Sequence, residues 1–282
     1  MRRFQIIGRR AGTHCGFFLV LALSTACVEA HEFWMLATPF AVPLNGATRL
    51  SLHVGEYFEG DVVAFSTQYV AALHHYAKGV SDDLLPKVAT APTVGEFPIR
   101  LDAAGTHVFA YDSQPNRITL GGEKWHAYLH DEGLDDIARQ REDAGTAATP
   151  ARERYRRFVK TLVGVGGKAD ATFAVHTGQR LEIVPGVNPL TAAVGDTLPF
   201  SLLFEQKPLS NALIKAWYRN GAQTVTIRAR SDDVGKFALT LPFAGTWMLS
   251  VVHMIPAVDS AEDDWDSLWG NLSFSLRQTR LP

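Results

Sequence analysis

Cysteine is almost absent. Two occur in 282 residues, Cys15 and Cys27, and both lie within the first thirty. That excludes a disulfide-rich scaffold. The chain has no excess of one charge: 27 basic against 29 acidic residues give a formal net charge of −2. A field able to draw nucleic acid is therefore missing. There is no G-x-S-x-G elbow and no glycine-rich phosphate loop ahead of a helix. Gly164-Val165-Gly166-Gly167 follows a predicted helix and reads as its terminator. The apolar run Phe17–Leu23 falls far short of the roughly 20 residues of a membrane span.

What the first thirty residues do contain is an export signal. Arg2, Arg3, Arg9 and Arg10 precede the apolar run, and Val28-Glu29-Ala30 offers small residues at a cleavage site. This is the pattern of a secretory signal peptide. The twin arginines lack the remaining residues of a Tat motif, so Sec export to the periplasm is expected. Cys27 after Ser24-Thr25-Ala26 raises a lipoprotein alternative, but leucine is missing three residues before the cysteine. Cleavage after Ala30 leaves 23 basic residues, 28 acidic residues and no cysteine. A metal site in that chain must use nitrogen and oxygen donors, or methionine sulfur. Cleavage also makes His31 the first residue, with no membrane span after it.

The remainder reads as mainly β: two Ig-like β-sandwich modules, residues 31–122 and 169–282, with a helical insert at 123–168. Ala47–Val54 and Phe97–Leu101 alternate with period two, the mark of a half-buried strand. Strands then recur every 8–12 residues beyond Thr172, as in a sandwich. In the insert, Trp125, Tyr128 and Leu129 suit a helical face, and a second helix is expected through Ala151–Lys160. A weak repeat links Phe97–Thr106 with Phe237–Thr246. Each copy reads as strand, glycine turn, strand.

Histidines carry the chemistry. A terminal His31 can chelate one ion through its α-amine and imidazole Nδ1. A second imidazole would complete a three-nitrogen brace suited to Cu(II) or Ni(II). His253, at the end of the strand Trp247–Val252 and next to Met254, is the chosen partner. His53, in a predicted strand, and Asp264, in the acidic loop Glu262–Asp266, complete the candidate set. His74 and His75 are adjacent, so their side chains diverge on a strand. His126 and His130 have helical i, i+4 spacing, but Ala127 stands where a zinc protease carries glutamate.

Several motifs together resemble a domain-of-unknown-function family associated with periplasmic components of nickel and cobalt uptake. They are His31-Glu32-Phe33-Trp34 after the signal, Arg152-Glu153-Arg154-Tyr155, Leu181-Glu182-Ile183-Val184-Pro185 with Asn188-Pro189, the run Lys207-Pro208-Leu209 to Ala212, and Asp264-Trp265-Asp266-Ser267-Leu268-Trp269. The likeness spans nearly the whole mature chain. It implies an exported protein that handles a divalent transition metal beside a membrane transporter, with His31 and His253 as the family's histidines. A histidine at position 126 departs from that pattern. The resulting expectation is a periplasmic carrier or accessory protein for nickel or cobalt, with copper next. Two rivals stand beside it: an oxidative copper enzyme using the same brace, and a metal-free Ig-like interaction module.

Overall fold

The computed structural model describes residues 31–90 and 95–279. The expected signal peptide, residues 1–30, lies outside the described residues. The first half of the chain forms β1 (Glu32–Thr38), β2 (Ala41–Val42), β3 (Ala47–Glu56), β4 (Glu59–Val63), β5 (Val70–Ala77) and β6 (Val80–Asp83). After the short α1 (Leu85–Thr90) come β7 (Glu96–Arg100), β8 (Gly105–Ser113) and β9 (Asn116–Leu120). Two helices, α2 (Gly122–Asp131) and α3 (Asp135–Asp143), lead into the long β10 (Ala151–Val165). The second half forms β11 (Leu181–Pro185), β12 (Thr197–Phe204), β13 (Lys207–Pro208), β14 (Leu213–Asn220) and β15 (Gln223–Arg230). It ends with β16 (Lys236–Thr240), β17 (Gly245–Pro256) and β18 (Trp265–Leu276). The protein is mainly β, and among the described residues no helix is long and apolar enough to cross a membrane.

The two expected modules share one sheet. Its main path runs β15-β14-β17-β18-β10-β8-β5-β6, a palindrome of the two halves. Each half adds a small sheet of matching order: β1-β3-β4 with β7 also on β3, and β11-β12-β13 with β16 also on β12. The halves meet at β10 and β18, which pair in parallel from Glu153 opposite Trp265 to Thr161 opposite Ser273. A palindromic order around a parallel pair implies a pseudo-two-fold axis along the strands, which turns one half over. The two small sheets therefore cover opposite faces of the large one. Side-chain alternation along β10 agrees. Phe158 and Leu162 join the core under β11 and β12. Val159, Val163 and Val165 join the core under β1 and β3.

The repeat is real in structure, with one change. β7 and β8, like β16 and β17, are separated by a short turn into a positive-φ glycine, Gly105 at 140° and Gly245 at 117°. The two strands of each copy lie in different sheets, so the unit is a corner between sheets, not a hairpin.

The helix expected through Ala151–Lys160 is instead the first part of β10. Its Arg-Glu-Arg composition favours a helix locally, by a few tenths of a kcal/mol per residue. Tertiary burial is larger. Phe158, Val159, Leu162 and Val163 are nearly inaccessible, at roughly 1.5–3 kcal/mol each. Helix in the insert is confined to α2 and α3, which pack Trp125, Tyr128, Leu129 and Ile137 on Val252, Met254 and Trp269 of the large sheet.

Candidate functional site

Four consecutive residues at the start of the described chain enter four different environments. β1 lies antiparallel to β3, with Glu32 opposite Gly55 and Trp34 opposite His53. Its alternate side chains therefore face opposite ways. His31, just ahead of β1, remains partly exposed, and its Nε2 lies 3.4 Å from Glu56 Oε1. Glu32 is buried. It accepts a 2.9 Å hydrogen bond from Ser250 Oγ and lies 3.4 Å from Lys215 Nζ. Phe33 packs on the Arg157 guanidinium, 4.7 Å from ring centre to Cζ. Trp34 stacks on His53 at 5.4 Å and joins Phe58, Trp217 and Met248 in a small core.

β1 thus does lie against the C-terminal half, as sharing an ion with His253 would require. Ser273 Oγ of β18 also donates to the Met35 carbonyl. His253, however, is on the other face of the large sheet. Along β17, Ser250 faces Glu32, whereas Leu249 and Val251 enter the opposite core, and His253 continues their row. It packs against Phe204 at 4.5 Å, and burial lowers its pKa to about 4. His31 and His253 cannot share an ion across a sheet. His53 is also turned elsewhere: its Nε2 meets Ser51 Oγ at 2.8 Å, and burial lowers its pKa. Asp264 is held by Arg152, through Nη2 at 2.7 Å and the backbone N at 2.8 Å. The four candidates do not converge. Among the described residues, no three His, Cys, Asp or Glu side chains are grouped to hold a metal.

Five other histidines have local contacts. His75 Nε2 meets His107 Nδ1 at 2.7 Å, and burial, with like-charge repulsion from His107 adding to it, lowers the His75 pKa to about 4. His74 packs instead on Tyr76. His126 and His130 do not form a clip; one approaches Glu142 and the other Asp135.

The remaining motifs build the seam between the halves. Arg154 of β10 pairs with Asp266 of β18, its parallel neighbour in register. Glu153 accepts hydrogen bonds from Tyr128 Oη at 3.0 Å and from Ser267 Oγ. Glu182 of β11 meets Lys160 of β10 at 2.8 Å, both buried. Asn188 Nδ2 donates to Thr106 Oγ1 at 2.8 Å.

The sequence profile of a domain of unknown function, DUF4198, matches residues 28–255. The chain belongs to the DUF4198 family. No curated protein matches it. Among solved structures it is similar to a tetra-tandem repeat from the extending region of a large adhesion protein, at 11% identity and a TM-score of 0.23. That match covers 89% of this chain, which spans only 50% of the adhesion chain. The D0-D1 domain of intimin matches at 12% identity and a TM-score of 0.20, over 86% of this chain and 97% of that one. Overlaps this weak carry no argument about function.

Sequence reasoning missed Glu56, Lys215 and Arg157. Glu56 was discoverable: antiparallel pairing of 32–38 with 47–56 brings the end of the second strand to His31. Arg157 was hidden by the helical reading of its segment. Lys215 gave no local signal, because its partners Glu32 and Glu132 lie far away in the chain.

Proposed function

We propose that this DUF4198 member is an exported carrier or accessory protein that holds a divalent transition metal at His31, in nickel or cobalt uptake, with copper the next choice. One observation carries the reading: the 3.4 Å approach of Glu56 to His31 Nε2. Metal-ligating imidazoles commonly hold their second ring nitrogen against a carboxylate, which fixes the tautomer and raises ligand basicity. With Glu56 on Nε2, Nδ1 is left for the metal. After cleavage at Ala30 the α-amine of His31 would close a six-membered chelate with it. Two chain donors leave other coordination positions to exchangeable ligands, which suits a cargo that must be passed to a membrane transporter in the periplasm. The amine must lose its proton to bind, and its reference pKa is about 7.7–8.0, so affinity falls with acid. The oxidative copper alternative needs a third nitrogen, and neither His53 nor His253 faces His31.

The test is calorimetric titration of Ni(II), Co(II) and Cu(II) into four forms: native-start, one with alanine added before His31, His31→Ala and Glu56→Gln. Extension and His31→Ala should each weaken binding by at least about tenfold, and Glu56→Gln by about tenfold. Equal affinity in the native-start and extended forms would defeat the reading.

A further inference from the structure

β10 carries four arginines in six residues, Arg152, Arg154, Arg156 and Arg157. Three have carboxylate partners: Arg152 on Asp264, Arg154 on Asp266 and Asp259, and Arg156 on Asp266. Arg157 points to the other face and has none among the described residues. Its backbone N donates to Ser113 Oγ at 2.9 Å, which ties down the strand and leaves the side chain free. The guanidinium lies between two rings, with Cζ 4.7 Å from the Phe33 centre and 4.9 Å from the Tyr155 centre. Its Nε is buried without a hydrogen-bond partner. Stacking satisfies the faces of a guanidinium but not the N–H donors on its edge.

Arg157 lines a pocket of about 480 Å³ beside β1. That volume falls in the range of roughly 300–1,000 Å³ typical of small-ligand sites. Leu52, Val54 and Val63 supply an apolar wall, Tyr69 and Tyr155 supply rings, and no Asp or Glu is in the lining. The single charge lining this pocket is thus a cation with no carboxylate in contact, and the buried Glu32 and Glu153 act on it only from a distance. Burying an unpaired ion is unfavourable, and a methionine could fill the same slot between the rings. A guanidinium held by its faces, with its donor edge unused, is preorganised for one planar anion.

We propose that this pocket binds a small organic monocarboxylate with an apolar body, the carboxylate taking a bidentate pair of hydrogen bonds from Arg157 and the body lying against the aliphatic wall. A lone arginine matches a singly charged carboxylate. A phosphate dianion would want a second cation, and none is in the lining. The site is independent of the metal reading, since none of its lining residues is a ligand there.

The experiment uses the metal-free mature chain. Phenylacetate is titrated calorimetrically and by saturation-transfer NMR, with phenylacetamide and inorganic phosphate as controls. Phenylacetate should bind, and phenylacetamide should bind at least about tenfold more weakly, because the neutral amide forfeits the charge-assisted pair. Arg157→Met should weaken phenylacetate by at least about tenfold while keeping the stacked packing. Ala64→Phe, which fills the pocket from its wall and leaves Arg157 in place, should abolish binding. Equal binding by wild type and a folded Arg157→Met would overturn the proposal. So would phosphate binding as well as phenylacetate, or no response to phenylacetate or 3-methylbutanoate at about 10 mM, where a millimolar site would be mostly filled. Should Arg157→Met lose its near-ultraviolet circular dichroism, Ala64→Phe decides, and unchanged binding in that folded variant refutes the site.

Discussion

Lys160 and Lys215 are both buried in the large sheet, one from each half, and each meets a glutamate from the first small-sheet strand of the other half. Glu182 of β11 reaches Lys160 of β10, and Glu32 of β1 reaches Lys215 of β14. The pseudo-two-fold relation is thereby stitched twice by buried ion pairs, but the stitches differ. The first is balanced. Burial alone would raise the Glu182 pKa, but the Lys160 charge and hydrogen bonds from Thr177 N and Oγ1 hold it below the usual range. The second has surplus acid. Lys215 also meets Glu132 at 2.7 Å. Burial, with Glu32 adding to it, raises the Glu132 pKa to about 7 against the opposing charge of Lys215. The two lysines sit on strands that the pseudo-two-fold does not exchange, β10 and β14, and the glutamates around them shift in opposite directions because the count of charges around each lysine is set by tertiary neighbours.

The largest effect expected is from removing a lysine. Lys215→Met strands two buried acids, and losing one partner of a buried pair costs about 3–5 kcal/mol. Urea unfolding at pH 8 should show that loss, and less at pH 5, where Glu132 takes up a proton. Lys160→Met should cost less, because Glu182 keeps its two bonds from Thr177. A larger loss for Lys160→Met at pH 8 would break the comparison.

The two corners come next. A Cβ on Gly105 would lie 2.1 Å from Asp170 Oδ2, whereas one on Gly245 would meet the Tyr218 ring at 3.3 Å. Both positions also have positive φ. Gly105→Ala should cost about 2–3 kcal/mol and Gly245→Ala about 1–2 kcal/mol, read as shifts in the urea midpoint. Equal shifts would mean that Asp170 swings away freely.

Glu132 gives a test of sign. It binds its proton more tightly folded than unfolded, so its contribution to stability is full below the ordinary carboxylate pKa and is lost as pH rises through about 7. Glu132→Gln should gain on wild type between pH 5 and pH 8. A relative loss would show that the ionised Glu132–Lys215 pair is net stabilising. The smallest effect belongs to His253, whose lowered pKa works the other way. Its contribution is full above about 6.5 and is lost as pH falls toward about 4. His253→Leu should stay within about 1.5 kcal/mol of wild type at pH 7.5 and flatten the acid limb below pH 6.

Period-two runs such as Ala47–Val54 read correctly as strands because each has one buried face. The Phe97 and Phe237 copies pointed to a repeated unit because both need glycine at the same turn. β10 was illegible for a physical reason. Charge occupies both of its faces over Arg152–Arg157, so no alternation survives, and the partners that neutralise it, Asp264 and Asp266, lie more than a hundred residues away. The candidate site was legible to a similar depth. His31 stood out as a residue, whereas its neighbour Glu56 depends on strand register.

The sequence by itself determined the β class, the glycine turns of the repeat, the export signal as an expectation, and the resemblance to a domain-of-unknown-function family. Tertiary structure decided how the halves join: one sheet with a parallel seam, and small sheets on opposite faces. It also decided which side of that sheet each histidine occupies. A strand has two faces, and a local pattern gives the spacing of its side chains but not which face meets which partner. That is why His253, expected at a strand end, lies within β17 and is separated from His31 by the thickness of the sheet.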